Sequence, residues 1–254
     1  MTARIANIWR HPLKGHSRES LTTTLLSAGK TMPGDRAWAV THAASRADVD
    51  DPAWLPPANF SRGSKNGNLM AIDGAYNDAT RTLNLTHPDR PDISFDPDNK
   101  ADVWRFLDWL EPLNIPGKLE PTGIISVPER GMTDTDFPSI SILSLPSLAD
   151  FSAKAGQEIN AKRFRGNFWL EGLAPWQEFD LIGQEIQLGN ARVRILERTV
   201  RCMATTANTD TGQRDLDTLG LLKDNWGHTD FGVYAEVIEG GPVSIGDTVT
   251  LGNT

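Results

Sequence analysis

A single cysteine, Cys202, is the residue of this sequence best suited to metal binding or nucleophilic chemistry. It stands where the alternating run 193–199 gives way to a polar stretch, and Arg198 and Arg201 lie beside it. Nearby cations favour the thiolate, which is the form of cysteine that binds metals and attacks sulfur. A lone cysteine is also commonly a small buried apolar residue, so the residue pattern leaves both interpretations open.

Basic residues form the second candidate group, because several stand at borders between strands and glycine-rich or polar loops. They are Lys14, Arg36, Arg165 and Arg201. Fixed cations beside free backbone donors suit a phosphate or another oxyanion. Each could instead be a solvated surface charge, and the neighbouring Asn167 and Thr205 could be ordinary turn residues.

Motifs of several other reaction classes are absent from the sequence. There is no G-x-S-x-G, Walker, G-x-G-x-x-G or H-E-x-x-H pattern, and the five histidines have no metal-ligand spacing. No pair of carboxylates stands out for acid–base catalysis. One cysteine excludes an internal disulfide, a four-cysteine zinc site and an iron–sulfur cluster held by this sequence alone.

Length and composition predict a globular protein of one large or two smaller domains. The 254 residues are 39% hydrophobic, which is enough for an ordinary core. A net charge of −8 argues against nucleic-acid binding. The first residues lack the apolar segment of a signal peptide, and no apolar run approaches the ~20 residues of a membrane span. We therefore expect a cytoplasmic protein without a membrane span.

The first part of the chain alternates between short strands and turns and shows little helical periodicity. Strands are predicted at 5–9, 21–26, 36–41, 69–72 and 82–86, and at most one more around 93–95. Residues 43–67 form a loop-rich insertion. We predict a β-rich N-terminal domain over residues 1–98.

Helical periodicity begins near residue 102. Three helices are predicted, over 102–110, over 145–155 with Ser144 as N-cap and Gly156 just past the end, and around 215–223. Strands are predicted at 124–127, 140–143, 168–170, 185–188, 191–199, 231–238 and 247–251, with Gly189-Asn190 as a hairpin turn. The predicted fold class is mainly β, with barrels and a few short helices, and the second domain covers residues 99–254.

Short motifs distributed along the chain resemble those of MOSC-domain proteins, named for the C-terminal domain of molybdenum cofactor sulfurases. The motifs are Pro12-Leu13-Lys14, Gly34-Asp35-Arg36, Phe164-Arg165-Gly166-Asn167, Arg201-Cys202, Thr205-Thr206, Thr209-Asp210-Thr211-Gly212, Phe231-Gly232-Val233-Tyr234 and Gly246-Asp247. The resemblance runs over residues 5–251 and includes the β-barrel domain that often precedes a MOSC domain. It is greatest to the branch of the mitochondrial amidoxime-reducing component and its bacterial relatives.

This resemblance implies a pyranopterin–molybdenum cofactor (molybdopterin) whose metal is bound by the Cys202 thiolate. The residues implied to bind the cofactor's phosphate and pterin are Lys14, Arg36, Arg165, Asn167, Arg201 and Thr205. The implied reaction is the reduction of N-hydroxylated small molecules, with Cys202 as the catalytic metal ligand. Electrons would come from a separate reductase or ferredoxin-type protein, because the sequence shows neither a cluster ligand set nor a dinucleotide fingerprint.

Two alternatives fit the same residues. Cys202 could carry a persulfide for sulfur transfer, since a thiolate flanked by cations also suits that chemistry. The protein could instead be a non-catalytic carrier of the molybdenum cofactor. Molybdenum content and cyanide-labile sulfur separate these alternatives.

Overall fold

The computed structural model describes residues 2–251. The strands in this range are β1 (Ala3–Arg10), β2 (Leu13–Lys14), β3 (Glu19–Leu21), β4 (Thr23–Leu26), β5 (Trp38–His42), β6 (Asp73–Asn77), β7 (Thr82–His87), β8 (Arg90–Phe95), β9 (Pro121–Ser126), β10 (Ile140–Ser144), β11 (Phe168–Glu171), β12 (Glu185–Leu188), β13 (Ala191–Val200), β14 (Asp230–Glu239), β15 (Gly241–Ser244) and β16 (Thr248–Thr250). The α-helices are α1 (Lys100–Leu110), α2 (Leu145–Ala155) and α3 (Thr218–Trp226). Short 3₁₀ helices cover Pro57–Asn59, Gly67–Ala71, Glu111–Leu113, Ala161–Phe164, Gln177–Leu181 and Met203–Thr206.

Seven of the strands close a barrel. Their order is β11, β10, β14, β13, β12, β16 and β1, and β1 pairs with β11 to complete the ring. Along β13, Val193 and Ile195 are fully buried in the barrel core, whereas Arg192 and Arg194 lie outside and pair with Glu185. Each such buried aliphatic side chain contributes roughly 1.5–3 kcal/mol, so the alternation fixes which face of β13 turns inward.

The barrel and the small number of helices confirm the predicted mainly-β class. The predicted hairpin is also confirmed, because Leu188 of β12 pairs with Ala191 of β13 across Gly189, whose φ is 58°. Glycine adopts this left-handed conformation without the steric cost that a side chain brings. None of the helices between residues 2 and 251 has the length and apolar character needed to cross a membrane.

Three smaller sheets accompany the barrel within the described range: β2-β5-β9, β6-β7-β8 and β15-β4. The first two enclose a second hydrophobic core with α1. Phe106 of α1 is fully buried there and stacks on Phe95 of β8 at 4.7 Å between ring centroids. The apolar face of this helix therefore covers these two sheets.

Hydrogen bonding crosses the predicted domain boundary at residues 98 and 99. Strand β1 belongs to the barrel, whose other strands all follow residue 139, and β5 pairs with β9 over five residue pairs. The division into 1–98 and 99–254 stays a prediction, and residues 252–254 lie outside the described range. Residues from both sides of the predicted boundary therefore share the barrel and also the sheet β2-β5-β9.

One predicted strand is wrong and another is divided in two. Residues 69–72 lie mostly in the 3₁₀ helix Gly67–Ala71, because the Asn66 side chain accepts a hydrogen bond from the Asn68 N–H and caps it. The predicted strand 21–26 divides at Thr22, since β3 pairs with β1 while β4 pairs with β15.

The helix α2 has the predicted bounds, with Ser144 as its N-cap and Gly156 left-handed at its end. Helix α3 begins three residues later than predicted. Asp217 caps it by accepting a hydrogen bond from the Gly220 N–H at 2.9 Å. Asp215, predicted as the first helical residue, binds the Arg163 guanidinium instead.

Candidate functional site

A cavity of about 730 Å³ opens beside the end of β13. Segments from both halves of the sequence line it, among them the ends of β2 and β13 and the loop 62–65. Its wall carries eight basic and two acidic side chains: Lys14, Arg36, Arg62, Lys65, Arg163, Arg165, Arg198 and Arg201 against Asp134 and Glu197. Although the chain has a net charge of −8, this concentration of cations gives the cavity a positive electrostatic potential that favours the binding of anions.

Arg36 is held in the cavity wall by the turn that precedes β5. The buried Asp35 carboxylate accepts a hydrogen bond from the His11 N–H at 2.7 Å, and the Arg36 N–H donates to the His11 carbonyl, also at 2.7 Å. Arg36 has a φ of 53° and follows Gly34 at 72°. Its guanidinium pairs with Asp35 and donates to the Arg165 carbonyl at 3.1 Å. Asp35 therefore fixes both the turn and the cation.

Lys14, at the end of β2, is 4% exposed and donates from Nζ to the Met132 carbonyl at 2.7 Å. It also pairs with Asp134, whose side chain is 52% exposed. Burial lowers the pKa of Lys14 below its usual range, and Asp134 partly opposes that shift. Burial acts to raise the pKa of Asp134, but Lys14 and Arg36 outweigh it and hold the pKa at about 2. Asp134 is therefore a carboxylate at neutral pH.

Arg165 stands in the sharp turn between the 3₁₀ helix Ala161–Phe164 and β11, with a φ of 49°. Gly166 follows it because a Cβ there would lie only 2.1 Å from Cδ1 of Leu143. Arg165 donates from Nη2 to the Ser17 carbonyl at 3.0 Å, while its Nη1 is buried and has no hydrogen-bond partner among residues 2–251. Burial, followed by the nearby guanidinium of Arg36, lowers the pKa of Arg165 to about 9. An acceptor inside the cavity can satisfy that unpaired donor.

Cys202 is exposed and begins the 3₁₀ helix Met203–Thr206, directly after Arg201. Its carbonyl accepts hydrogen bonds from the Thr205 N–H and the Thr205 hydroxyl, both at 3.1 Å. Arg201 donates from Nε to the Phe231 carbonyl and from Nη1 to the Phe164 carbonyl, both at 2.8 Å. Burial lowers the pKa of Arg201 to about 10. The backbone around Cys202 is thus fixed, and its thiol lines the cavity.

The structure gathers all but one of the predicted site residues around this cavity: Lys14, Arg36, Arg165, Arg201, Cys202 and Thr205. Asn167 lies behind the wall. Its amide oxygen accepts from the Ser141 N–H and hydroxyl at 3.0 and 2.9 Å, and its amide nitrogen donates to the Trp9 carbonyl at 3.2 Å. Asn167 therefore ties β10, β11 and β1 together beneath the site.

The Thr205 hydroxyl is also committed within the protein, since it lies 2.6 Å from the Thr218 hydroxyl besides contacting the Cys202 carbonyl. Other lining residues had escaped sequence reasoning, namely Arg62, Lys65, Asp134 and Tyr234. Arg62 precedes a glycine, as Lys14 and Arg165 do, so the same pattern could have found it. Asp134 carried no such signal. Burial raises the pKa of Tyr234, which keeps its hydroxyl protonated.

Residues 132–250 match the family model of the MOSC domain. Residues 132–250 are therefore identified as a MOSC domain. Cys202, Arg165 and Arg201 lie inside the matched residues, whereas Lys14 and Arg36 precede them. The cavity is therefore built partly by the MOSC domain and partly by the segments before it. A search of curated proteins finds no significant match.

Several solved structures resemble this chain, among them the following three. YuaD protein from Bacillus subtilis is 13% identical, with 98% of this chain and 94% of that chain covered and a TM-score of 0.46. YiiM from Geobacillus stearothermophilus is 19% identical, with 45% and 54% covered and a TM-score of 0.36. YiiM from Escherichia coli is 18% identical, with 45% and 54% covered and a TM-score of 0.34. The chain thus spans about half the length of the YiiM proteins that it matches.

Arg214 connects the Cys202 turn of the MOSC domain to the loop 62–65 that precedes the domain. Its Nη1 donates to the Thr206 hydroxyl at 2.6 Å and to the Met203 carbonyl. Its Nη2 donates to the carbonyls of Gly63 and Ser64, both at 3.1 Å. One guanidinium therefore bridges two walls of the cavity, and a planar fork with several donors is suited to that task.

Arg214→Ala is expected to loosen both walls together. Amide hydrogen exchange in residues 62–65 and 203–206 should become about tenfold faster, equivalent to about 1.4 kcal/mol of local opening free energy. Arg105→Ala is the matched control, because Arg105 is an exposed arginine on α1 that binds Asp102 and the Ser94 carbonyl, away from the cavity. Unchanged exchange in both segments of the Arg214 variant contradicts the bridging role.

Proposed function

We propose that this MOSC-domain protein binds a pyranopterin–molybdenum cofactor through Cys202 and uses it to reduce N-hydroxylated small molecules. The observation that carries the proposal is one exposed thiol on the wall of a cavity lined by eight cations. A thiolate is a metal ligand, and fixed guanidinium and ammonium groups bind phosphate oxygens. The resemblance to the amidoxime-reducing branch of the family supports this choice of reaction.

The residues of the cavity fit such a group. Its anionic phosphate has an unpaired buried donor available at Arg165 Nη1, and Lys14 and Arg36 stand in the same wall. Lys14 carries Asp134 as a counter-ion that is half exposed, so solvent can stabilise the carboxylate when an anion takes its place beside the ammonium. Cys202 supplies a soft sulfur ligand in a turn whose backbone Thr205 holds. The donor set thus has one metal ligand and several anion-binding groups.

When bound, the cofactor supplies a metal centre that exchanges two electrons. The net reaction, R–NHOH + 2e⁻ + 2H⁺ → R–NH₂ + H₂O, also needs two protons. Tyr234 lines the cavity with a hydroxyl that burial keeps protonated, so it can donate a hydrogen bond to a substrate oxygen. Asp134 is a carboxylate at neutral pH and can only accept. Arg201, whose donors already bind carbonyls, stiffens the wall beside Cys202.

Electrons must come from a separate reductase or ferredoxin-type protein in this proposal. The sequence contains no dinucleotide fingerprint, and its one cysteine cannot hold an iron–sulfur cluster. Cofactor-loaded protein should therefore convert benzamidoxime to benzamidine with reduced methyl viologen and form no product with NADH alone. Product with NADH and nothing else contradicts the need for a partner.

Molybdenum content, cyanide-labile sulfur and viologen-driven activity of the same preparation distinguish the reductase from a cofactor carrier and from a sulfur carrier. Stoichiometric molybdenum without reduction of any N-hydroxylated substrate identifies a cofactor carrier. Cyanide-labile sulfur on Cys202 without molybdenum identifies sulfur transfer through a persulfide, as that chemistry needs only a reactive thiolate. Viologen-driven reduction together with bound molybdenum supports the proposed reductase.

A further inference from the structure

Arg62 and Lys65 differ from the other cations of the cavity. Six of the eight are bound within the protein, Lys14 to Asp134, Arg36 to Asp35, Arg163 to Asp215, Arg165 to the Ser17 carbonyl, Arg198 to Asp230, and Arg201 to the Phe231 carbonyl. The side chains of Arg62 and Lys65 make no hydrogen bond or ion pair with any residue in the described part of the chain. The Nε of Arg62 is also buried, and it has no hydrogen-bond partner there.

These two residues share one tight turn, because the N–H groups of Lys65 and Asn66 both donate to the Arg62 carbonyl, at 3.0 and 3.1 Å. A Cβ added to Gly15 would lie 3.2 Å from the Arg62 Cα, so the turn packs against the residue that follows Lys14. On its other side, a Cβ added to Gly63 would lie 3.3 Å from the Cβ of Ala204, two residues after Cys202. Arg62 thus stands between the end of β2, which carries Lys14, and the turn that carries Cys202.

A buried donor without an acceptor destabilises a protein unless a ligand supplies the acceptor. A guanidinium and an ammonium on one turn match the oxygens of a carboxylate or a phosphate, which take charge-assisted hydrogen bonds. Apolar side chains of the same cavity, Met70, Val200 and Met203, can accept the uncharged body of a small molecule. Arg62 and Lys65 therefore line the same cavity as these apolar side chains and the Cys202 thiol.

We propose that Arg62 and Lys65 form a subsite for the anionic group of the substrate, so that the protein selects N-hydroxylated compounds bearing a carboxylate or a phosphate. The inference rests on the proposed function for the chemistry at Cys202. The subsite itself is a binding property and can be measured without turnover.

The test uses cofactor-loaded protein and two matched pairs of compounds. Benzamidoxime is compared with 4-carboxybenzamidoxime, and N6-hydroxyadenosine with its 5′-monophosphate, by calorimetric titration and by viologen-driven reduction. The anionic member of at least one pair should bind at least about tenfold more tightly, with a preference that falls as salt rises. The pair that shows the preference tells a carboxylate from a phosphate.

Arg62→Gln should remove most of that preference and leave the affinity for the neutral compounds within about twofold, and Lys65→Gln should remove part of it. Arg46→Gln is the matched control, since Arg46 is an exposed arginine of the same insertion that does not line the cavity. Equal affinities for neutral and anionic compounds overturn the inference. So does loss of molybdenum from the Arg62 variant, which would place the cofactor phosphate on these cations. Selective binding without reduction of either compound instead supports the subsite and refutes the proposed reductase activity.

Discussion

Cys202→Ser is expected to lower the turnover of an N-hydroxylated substrate by about a thousandfold, equivalent to about 4 kcal/mol of activation free energy. A serine hydroxyl loses its proton far less readily than a thiol and offers a hard oxygen instead of a soft sulfur, so it is a poor substitute for a thiolate ligand. The side chain is exposed and makes no hydrogen bond within the described chain, so the free energy of unfolding should change by less than about 0.5 kcal/mol. Viologen-coupled kinetics, molybdenum content and chemical denaturation measure the three quantities.

Met203→Leu is the control for this variant, because Met203 is the next residue of the same turn, is 44% exposed, and keeps an apolar surface of similar volume when it is replaced by leucine. It should keep both turnover and molybdenum content. The cations should still retain part of the cofactor in the serine variant, so turnover should fall much further than molybdenum content. A serine variant with wild-type turnover refutes the role of Cys202.

Local rules were sufficient for much of the barrel. The Gly189 hairpin turn and the two ends of α2 depend on residues that are adjacent in sequence, and each has the predicted place. The group of cations was also predictable, because a basic residue at the border between a strand and a glycine-rich or polar loop marks a place where backbone donors are free. The structure brings four such cations to one cavity.

Barrel closure, the role of Asn167 and the place of the loop 62–65 depend on contacts between residues far apart in sequence, so the sequence alone did not predict them. Barrel closure pairs Ile8 with Phe168, and no local pattern records a contact over that separation. Asn167 has the composition of a turn residue near a site, yet its buried amide binds the Ser141 and Trp9 backbones of two other strands. The loop 62–65 has the composition of an insertion, yet Arg214 binds it to the Cys202 turn through hydrogen bonds that the sequence does not show.

The partners of Lys14 and Arg36 determine how their proposed role in holding the cofactor phosphate can be tested. Arg36→Ala would leave the Asp35 carboxylate, 1% exposed, without its cation, and breaking a buried pair costs about 3–5 kcal/mol of stability. Loss of cofactor from that variant could then reflect unfolding. The Asp134 partner of Lys14 is half exposed, so water can solvate it when the ammonium is removed.

Lys14→Gln is therefore the sharper variant, and it should weaken cofactor binding by about 10- to 150-fold, because a hydrogen bond to a charged group contributes about 1.5–3 kcal/mol. Glutamine can still donate to the Met132 carbonyl, so the unfolding free energy of the apoprotein should change by less than about 1 kcal/mol. Lys30→Gln is the control, since Lys30 forms the same type of ion pair with Glu129 on an exposed surface. Molybdenum retained through gel filtration and apoprotein denaturation curves are the two readouts. Lys14 can hold the phosphate only if the cofactor lies against the wall where Arg165 has its unpaired donor. Equal molybdenum retention in the Lys14 and Lys30 variants would show that the cofactor does not bind at this wall.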